Sequence, residues 1–224
     1  MSLHILPDLI QGTEEWHDQR RGMVTASVVG KLVTPKTIKP ADNDDSRGLT
    51  ALLVAERITG WTEATYVNDD MLRGIEDEPR AVQKYSEHYA PVTTIGFMVR
   101  DDWGFSIGFS PDGLVNDDGL IEVKSRRPKK HLRTILADEV PIENMAQIQA
   151  GLLVSGREWC DYLSYCGGMP MWRKRVELDP KWADSIVNAV ELFEENAEAM
   201  VHTYEQATKG LAQTERALDL EMVI

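Results

Sequence analysis

Apolar and polar positions along this chain follow two spacings. Between Gly104 and Phe109, Phe105, Ile107 and Phe109 alternate with Ser106 and Gly108, the period of a strand with one buried face. Val92 to Arg100 reads as the strand before it. Gly119-Leu120-Ile121-Glu122-Val123 has strand composition, and Asn116-Asp117-Asp118-Gly119 is a turn of residues that tolerate positive φ, which predicts a hairpin over 112–124. Helical spacing governs Asn68 to Tyr89, where Leu72, Ile75, Val82 and Tyr85 mark one side. It also governs Ile142 to Ser155, with Met145, Ile148 and Leu152 inward. Trp159 to Tyr165 and Trp172 to Leu178 read as two more strands, joined through Gly167-Gly168-Met169-Pro170. Pro180 opens a long last helix whose buried side carries Trp182, Ile186, Ala189, Val190, Phe193, Ala197 and Met200. Nearer the start, Thr13 caps a short helix with Glu14 and Glu15 in its first turn, ended by Gly22. Thr25 to Val33 is predicted as a second helix capped by Thr25, Thr34 to Ser46 as a loop, and Leu49 to Ile58 as a helix closed by Gly60.

This order of helices and strands predicts an α/β fold, a mixed central β-sheet flanked by helices. The 224 residues read as a single domain, with its core at about 10–165, C-terminal strands and a long helix over 166–210, and a tail over 211–224. No apolar stretch approaches the length of a bilayer span, and Met1-Ser2-Leu3-His4 does not begin a basic segment followed by an apolar one. A cytoplasmic protein with no membrane partner is expected. Cys160 and Cys166 are too few for a disulfide framework or a four-thiolate zinc site, and read as reduced and structural.

A net charge of −13 argues at first against a nucleic-acid partner, because cations dominate phosphate binding. The distribution reverses that inference. Over 122–133, Lys124, Arg126, Arg127, Lys129, Lys130 and Arg133 stand against Glu122 alone, while the chain after Arg175 is strongly acidic. Such a body focuses a polyanion onto its basic strip and repels it elsewhere. His131, inside the strip, has no partner at ligand spacing and reads as a surface residue.

The hairpin carries the chemistry. Glu122 and Lys124, two apart on a strand, project from one face while Val123 points to the other, and Asp112 lies ten residues upstream of Glu122. Two carboxylates and a peptide carbonyl form an oxygen-rich set of the kind a hard divalent cation takes. For these residues by themselves, a solvated charged hairpin is the alternative. Glu78 falls on the apolar side of its helix, where a carboxylate is costly to bury unless paired or bound to metal. Pro79 beside it is expected either to kink that helix or to make Glu78 the cap of a new one. Gln147 and Gln149 are amides in an otherwise apolar helix.

Ser110-Pro111-Asp112-Gly113 followed by Glu122-Val123-Lys124 resembles the PD-(D/E)xK nuclease signature. With Trp16-His17-x-x-Arg20, Thr25-Ala26-Ser27, Gly74-x-x-x-Glu78 and Met145-Ala146-Gln147-x-Gln149, the resemblance narrows to the phage lambda exonuclease family, the YqaJ-type viral recombinases, over roughly residues 10–165. It implies a restriction-endonuclease-like PD-(D/E)xK core and a 5′-to-3′ exonuclease. Such an enzyme digests one strand of linear double-stranded DNA to mononucleotides, leaving a 3′ overhang for a phage-type single-strand annealing protein. The family assembles as a homotrimer ring and acts in a bacterial host or from a prophage.

By the same resemblance, Asp112 and Glu122 are metal-binding acids, the Val123 carbonyl a further ligand and Glu78 the acid of a second metal position. Lys124 stands beside the attacking water and Gln147 near the scissile phosphate. Two Mg²⁺ ions, with Mn²⁺ able to substitute, are expected at a separation of roughly 4 Å. Arg20, Ser27 and Ser110 would hold the 5′-phosphate, a guanidinium fork with hydroxyls suiting a terminal phosphate dianion, with Trp16 and His17 as scaffold around Arg20. Arg126, Lys129 and Lys130 are candidates for contact with duplex DNA. Asn144 stands where the family often has a tyrosine. A structure-specific or restriction-type endonuclease of the same fold is a second reading. A catalytically silent DNA-recombination adaptor is a third, and intact Asp112, Glu122 and Lys124 count against it.

Overall fold

Thr13 does cap the first helix: its hydroxyl accepts the Trp16 N–H, and this local rule opens a succession of short elements in the computed structural model, which describes residues 2–63 and 67–215. In chain order these are β1 (Leu3–Leu6), α1 (Glu14–Arg20), β2 (Val24–Thr25), β3 (Val33–Thr34), β4 (Lys39–Pro40), α2 (Asp44–Thr59) and α3 (Asp69–His88). They continue with β5 (Val92–Thr93), β6 (Phe97–Arg100), β7 (Ile107–Phe109), β8 (Gly113–Val115), β9 (Gly119–Ser125), α4 (Pro128–Ala137) and α5 (Ile142–Ser155). β10 (Trp159–Tyr165), β11 (Trp172–Glu177) and α6 (Pro180–Ala207) complete the chain. Residues 216–224 of the expected tail lie outside the described residues.

The five-stranded sheet runs β11-β10-β9-β8-β5, and a four-stranded sheet runs β1-β6-β7-β2. Both are mixed: β9 pairs in parallel with β10, and β2 with β7, while their other pairings are antiparallel. Tyr162, Cys160 and Leu120 on one face of β9 and β10 join the larger core with Ile148 and Leu152 of α5 and Ile186, Val190 and Phe193 of α6. On the other face Ile121, Val123 and Leu163 pack with Ala81 and Tyr85 of α3 in a smaller core. α5 and α3 therefore sandwich the β9–β10 pair, as expected for a mixed sheet flanked by helices. Among the described residues no helix is long and apolar enough to cross a membrane.

Several expectations fail for identifiable reasons. Thr25 to Val33 is not a helix: Val24 and Thr25 pair with Ile107 and Gly108, a single 3-10 turn spans Val29–Lys31, and β3 follows. Its β-branched residues favour a sheet ladder, and the Thr25-Ala26-Ser27 pattern imitates a helix cap only locally. The stretch 34–46 holds β4, and α2 begins at Asp44 because Asn43 and Ser46 form a reciprocal cap. The strand expected over Val92 to Arg100 is two strands in different sheets. The chain breaks at Gly96, where a Cβ would collide with the Leu9 carbonyl, so only glycine permits that approach. α4, unpredicted, begins with Pro128 at its first position, a start signal hidden by the basic run. It also buries His131, whose ring bonds the Ser164 hydroxyl at 2.8 Å and the Pro170 carbonyl at 2.9 Å, so His131 is a core residue and not a surface one. α3 runs unbroken through Pro79. Its buried side is Asp77, Ala81 and Tyr85, whereas Leu72 and Ile75 are exposed.

Candidate active site

The hairpin register places the acids. Gly113 pairs with Ile121, so one residue further out the same antiparallel register brings Asp112 level with Glu122. Asp112 turns inward, and its Oδ2 accepts the Val123 N–H at 2.6 Å. Glu122 is 1% exposed, and its Oε1 lies 2.5 Å from Lys124 Nζ. That contact is an ion pair off hydrogen-bond alignment, since among the described residues Oε1 has no aligned donor. From α5, Gln147 Oε1 accepts from Lys124 Nζ at 3.1 Å. From α3, Glu78 lines the same cavity, with Ser125 Oγ donating to the neighbouring Asp77 at 2.7 Å and receiving Arg73 Nε at 3.0 Å.

Charge within this cluster is one-sided. Burial first, then the charges of Glu122 and Glu78, push the Asp112 carboxyl well above the ordinary range. Burial and the Glu122 charge likewise raise Glu78, with Lys124 opposing. Burial pulls the Lys124 ammonium down, but Glu122 and Asp112 outweigh it and hold it above the ordinary lysine value. The Glu122 charge thus bears on both Asp112 and Glu78, whose ionised forms are disfavoured, with Lys124 as the opposing cation.

The second half of the site is the α1–β2 turn. Arg20 Nη2 donates to Thr25 Oγ1 at 3.2 Å and Ser27 Oγ at 3.1 Å. Its guanidinium lies 3.8 Å from the centroid of the Trp16 ring, and Trp16 Nε1 donates to Ser110 Oγ at 3.0 Å. Burial brings the Arg20 guanidinium down to about 10, against the charge of Glu56, so it is still a cation at neutral pH. Both halves open on one cavity of about 510 Å³, whose walls include Arg20, Ser27, Ser110, Glu78, Asp112, Val123, Lys124 and Gln147, within the size of ordinary ligand sites.

Beyond Lys124, the basic strip does not line this cavity. Arg126 Nη2 turns inward onto Asn144 Oδ1 at 2.6 Å and the Tyr162 hydroxyl at 3.0 Å. Lys130 pairs with Glu143 at 2.9 Å, and Lys129 is exposed on α4. Sequence reasoning missed Asp77, Thr25 and Tyr162. Asp77 was signalled only by its adjacency to Glu78, and Tyr162 not at all, because its role depends on pairing with Glu122 across the parallel strands.

Metal ligation can be tested against these residues. Carboxylates and a carbonyl are the donors a hard cation takes, and the buried, unaligned Oε1 of Glu122 together with the shared negative charge fits one. Among the described residues no three acidic, His or Cys side chains meet at one point as placed. As placed, Asp112 is turned onto the Val123 N–H and Glu122 Oε1 is engaged by Lys124.

A mixed sheet with a Pro-Asp turn and a Glu-x-Lys strand sandwiched by helices defines a PD-(D/E)xK nuclease fold. The model of the YqaJ-like viral recombinase domain matches residues 15–158, and this chain belongs to that family. An alkaline exonuclease, LHK-Exo, from Laribacter hongkongensis is 33% identical, with a TM-score of 0.79 over 89% of this chain and 100% of that one. The same enzyme in complex with dAMP gives 0.78 at the same identity and coverage. A phage-related exonuclease from Haemophilus somnus 129PT, 12% identical with a TM-score of 0.62 over 81% of this chain and 96% of that chain, shares the fold. No curated protein sequence matches the chain.

Proposed function

We propose that this protein is a metal-dependent 5′-to-3′ exonuclease on linear double-stranded DNA, releasing mononucleotides and leaving a 3′ single-stranded overhang for a single-strand annealing protein. One observation carries the reading: the Asp112, Lys124, Glu78 and Gln147 cluster and the Arg20, Ser27 and Ser110 cluster open on the same cavity. A group suited to a terminal phosphate thus shares a cavity with a group suited to hydrolysis, which supports removal from an end. The similarity to an exonuclease seen in complex with dAMP supports it.

Glu78, Asp112, Glu122 and the Val123 carbonyl would hold two Mg²⁺ ions, or Mn²⁺ in their place. When bound, the ions supply a water of lowered pKa and positive charge for the phosphorane-like transition state and the leaving oxygen. The chain's own residues do the rest. Lys124, held between Glu122 and Gln147, orients the attacking water with its Nζ protons, and Gln147 keeps that ammonium aimed into the cavity. Arg20 offers one edge of its fork to a terminal phosphate, with the Ser27 and Ser110 hydroxyls as donors. Trp16 beneath Arg20 restricts its rotamers and so fixes where the end stops. Lys129 and Lys130, both exposed on α4, are the candidates for contact with duplex backbone. Arg126 reaches DNA only by giving up Asn144 and Tyr162.

The reading includes one nuclease domain over 1–224, a homotrimer ring and a cytoplasmic site of action in a bacterial host or from a prophage. End-labelled linear duplex incubated with protein and Mg²⁺ tests it. Mononucleotide release that disappears in Asp112→Ala is expected, and equal release by that variant would overturn the enzyme. Cutting of closed circular DNA would instead identify an endonuclease. Binding of DNA ends with no hydrolysis by the wild-type protein would identify an adaptor.

A further inference from the structure

Arg20 is the first residue of a tight turn. Arg21 has φ −56° and ψ 124°, Gly22 has φ +66°, and the Met23 N–H donates to the Arg20 carbonyl at 3.0 Å, the pattern of a type II turn with glycine in its third position. The two ends of that glycine's backbone are gripped from outside the turn by consecutive residues near the end of α2. Glu56 Oε2 accepts the Gly22 N–H at 2.8 Å, and Arg57 Nε donates to the Gly22 carbonyl at 2.7 Å. A Cβ at Gly22 would collide with the Arg57 side chain, so the turn is clamped sterically as well.

The clamp is braced in turn. Arg57 uses both Nη atoms on Glu194 of α6, at 2.6 and 2.8 Å, and its guanidinium lies over the Phe193 ring, 5.2 Å from the centroid. Glu56 is 7% exposed and its charge favours the ionised form of Arg20 against burial. A buried carboxylate is an expensive way to fasten a loop, and α2 and α6 already pack against each other without it. What the arrangement adds is a fixed backbone and a compensating charge at the turn that carries Arg20.

We propose that Glu56 and Arg57 are positioning residues for Arg20. By holding Gly22 they set where the guanidinium stands and so determine the preference for a phosphorylated 5′ end. This rests on the assignment of Arg20 to the 5′-phosphate. A displacement of about 1 Å in such a group costs up to about 100-fold in rate, so loss of the clamp is expected to show in end selectivity.

The test is the ratio of kcat/KM on linear duplexes carrying a 5′-phosphate to that on otherwise identical 5′-hydroxyl ends. Glu56→Ala is expected to lower the ratio about 10-fold with the rate on hydroxyl ends nearly unchanged. Glu56→Gln, which keeps an acceptor for the Gly22 N–H, is expected to recover more than half of that loss on a logarithmic scale. Arg57→Lys, which gives up the two-pronged contact with Glu194, is expected to lower the ratio about 3-fold, and it carries the test if Glu56→Ala does not fold. Equal losses on both substrates, or an unchanged ratio, in the folded variant would overturn the proposal and leave the clamp a plain tether. Arg20→Ala separates the two failures. If it collapses the ratio while the clamp variants do not, only the positioning role falls, whereas if it leaves the ratio intact, the phosphate assignment itself falls.

Discussion

Glu122 and Asp161 are buried carboxylates on adjacent parallel strands, one register step apart and on opposite faces of the sheet. Both are almost wholly withdrawn from water, yet their surroundings are opposite. Asp161 receives the Tyr85 hydroxyl at 2.7 Å, Arg173 Nη1 at 2.7 Å, and Arg175 Nε and Nη2 at 2.9 and 3.0 Å. Burial would raise its pKa, but Arg175, Tyr85 and Arg173 together outweigh burial and hold it low. The two guanidiniums also stack over Tyr89 and Trp159, a structural cross-brace from β10 to β11 and α3. Among the described residues Glu122 has one ammonium, no aligned donor on Oε1, and two further acids nearby. The same residue chemistry at the same depth is satisfied on one face and left short of positive charge on the other. A carboxylate cluster left short is costly to the fold, and the cavity beside it supplies the reason to keep it.

The comparison breaks most sharply in activity. Glu122→Gln or Asp112→Ala is expected to lower the rate of nucleotide release by about 1,000-fold or more, equivalent to ~4 kcal/mol of transition-state stabilisation. Asp161→Asn should leave the rate of the folded protein within a few-fold. A comparable loss in Asp161→Asn would mean that the two faces do not differ in role. In stability the order reverses. Asp161→Asn leaves two arginines facing each other without their counter-charge and is expected to cost about 3 kcal/mol, the low end because both guanidiniums are partly solvated. Chemical denaturation of the two variants side by side reads it.

Metal sharpens the contrast at intermediate size. In wild-type protein, Mg²⁺ at about 100 times its Kd should raise stability by about 2.7 kcal/mol, and Asp112→Asn should lose most of that shift while Asp161→Asn keeps it. A thermal melt in EDTA against excess Mg²⁺ decides, and an equal shift in Asp112→Asn would remove that carboxylate from the ligand set.

The smallest effect is in pH dependence. Asp161, with its folded pKa below the unfolded value of about 3.9, contributes stability that is present above pH ~4 and lost as the pH falls through the folded value. Asp112 and Glu78 have raised folded pKa values, so their ionisation opposes folding at neutral pH, and that penalty disappears as the pH falls to the unfolded value. In metal-free buffer Asp112→Asn is therefore expected to raise stability at pH 7 by about 1 kcal/mol, or about 2–4 °C in Tm, with the gain fading toward pH 4. A gain that persists at pH 4 would show that packing, not charge, causes it.

Much of this was legible in the chain. The turn residues Asn116 to Gly119 set the hairpin register, and period-two alternation then fixed that Glu122 and Lys124 share a face. The cap of α1, the extent of α3 and the start of α6 at Pro180 also followed from local rules, because caps and prolines act within a turn of where they stand. Where the reading failed, distant partners had overruled local preference. Thr25 to Val33 left the helix for a strand because Ile107 and Gly108 offered it a ladder, and His131 left the surface because Ser164 and Pro170 offered it two hydrogen bonds.

By itself the sequence determined which groups can carry such chemistry, since residue type and two-residue spacing settle what can ligate, donate and share a strand face. Only the tertiary structure decided their company. Arg126 was one more cation of a basic strip until Asn144 and Tyr162 drew it inward, and Asp161 and Glu122 were two acids in two strands until the parallel pairing set them on opposite faces with different neighbours. Compensation of a buried charge is decided by groups brought within a few ångströms from elsewhere in the chain, and spacing along one strand carries no record of them.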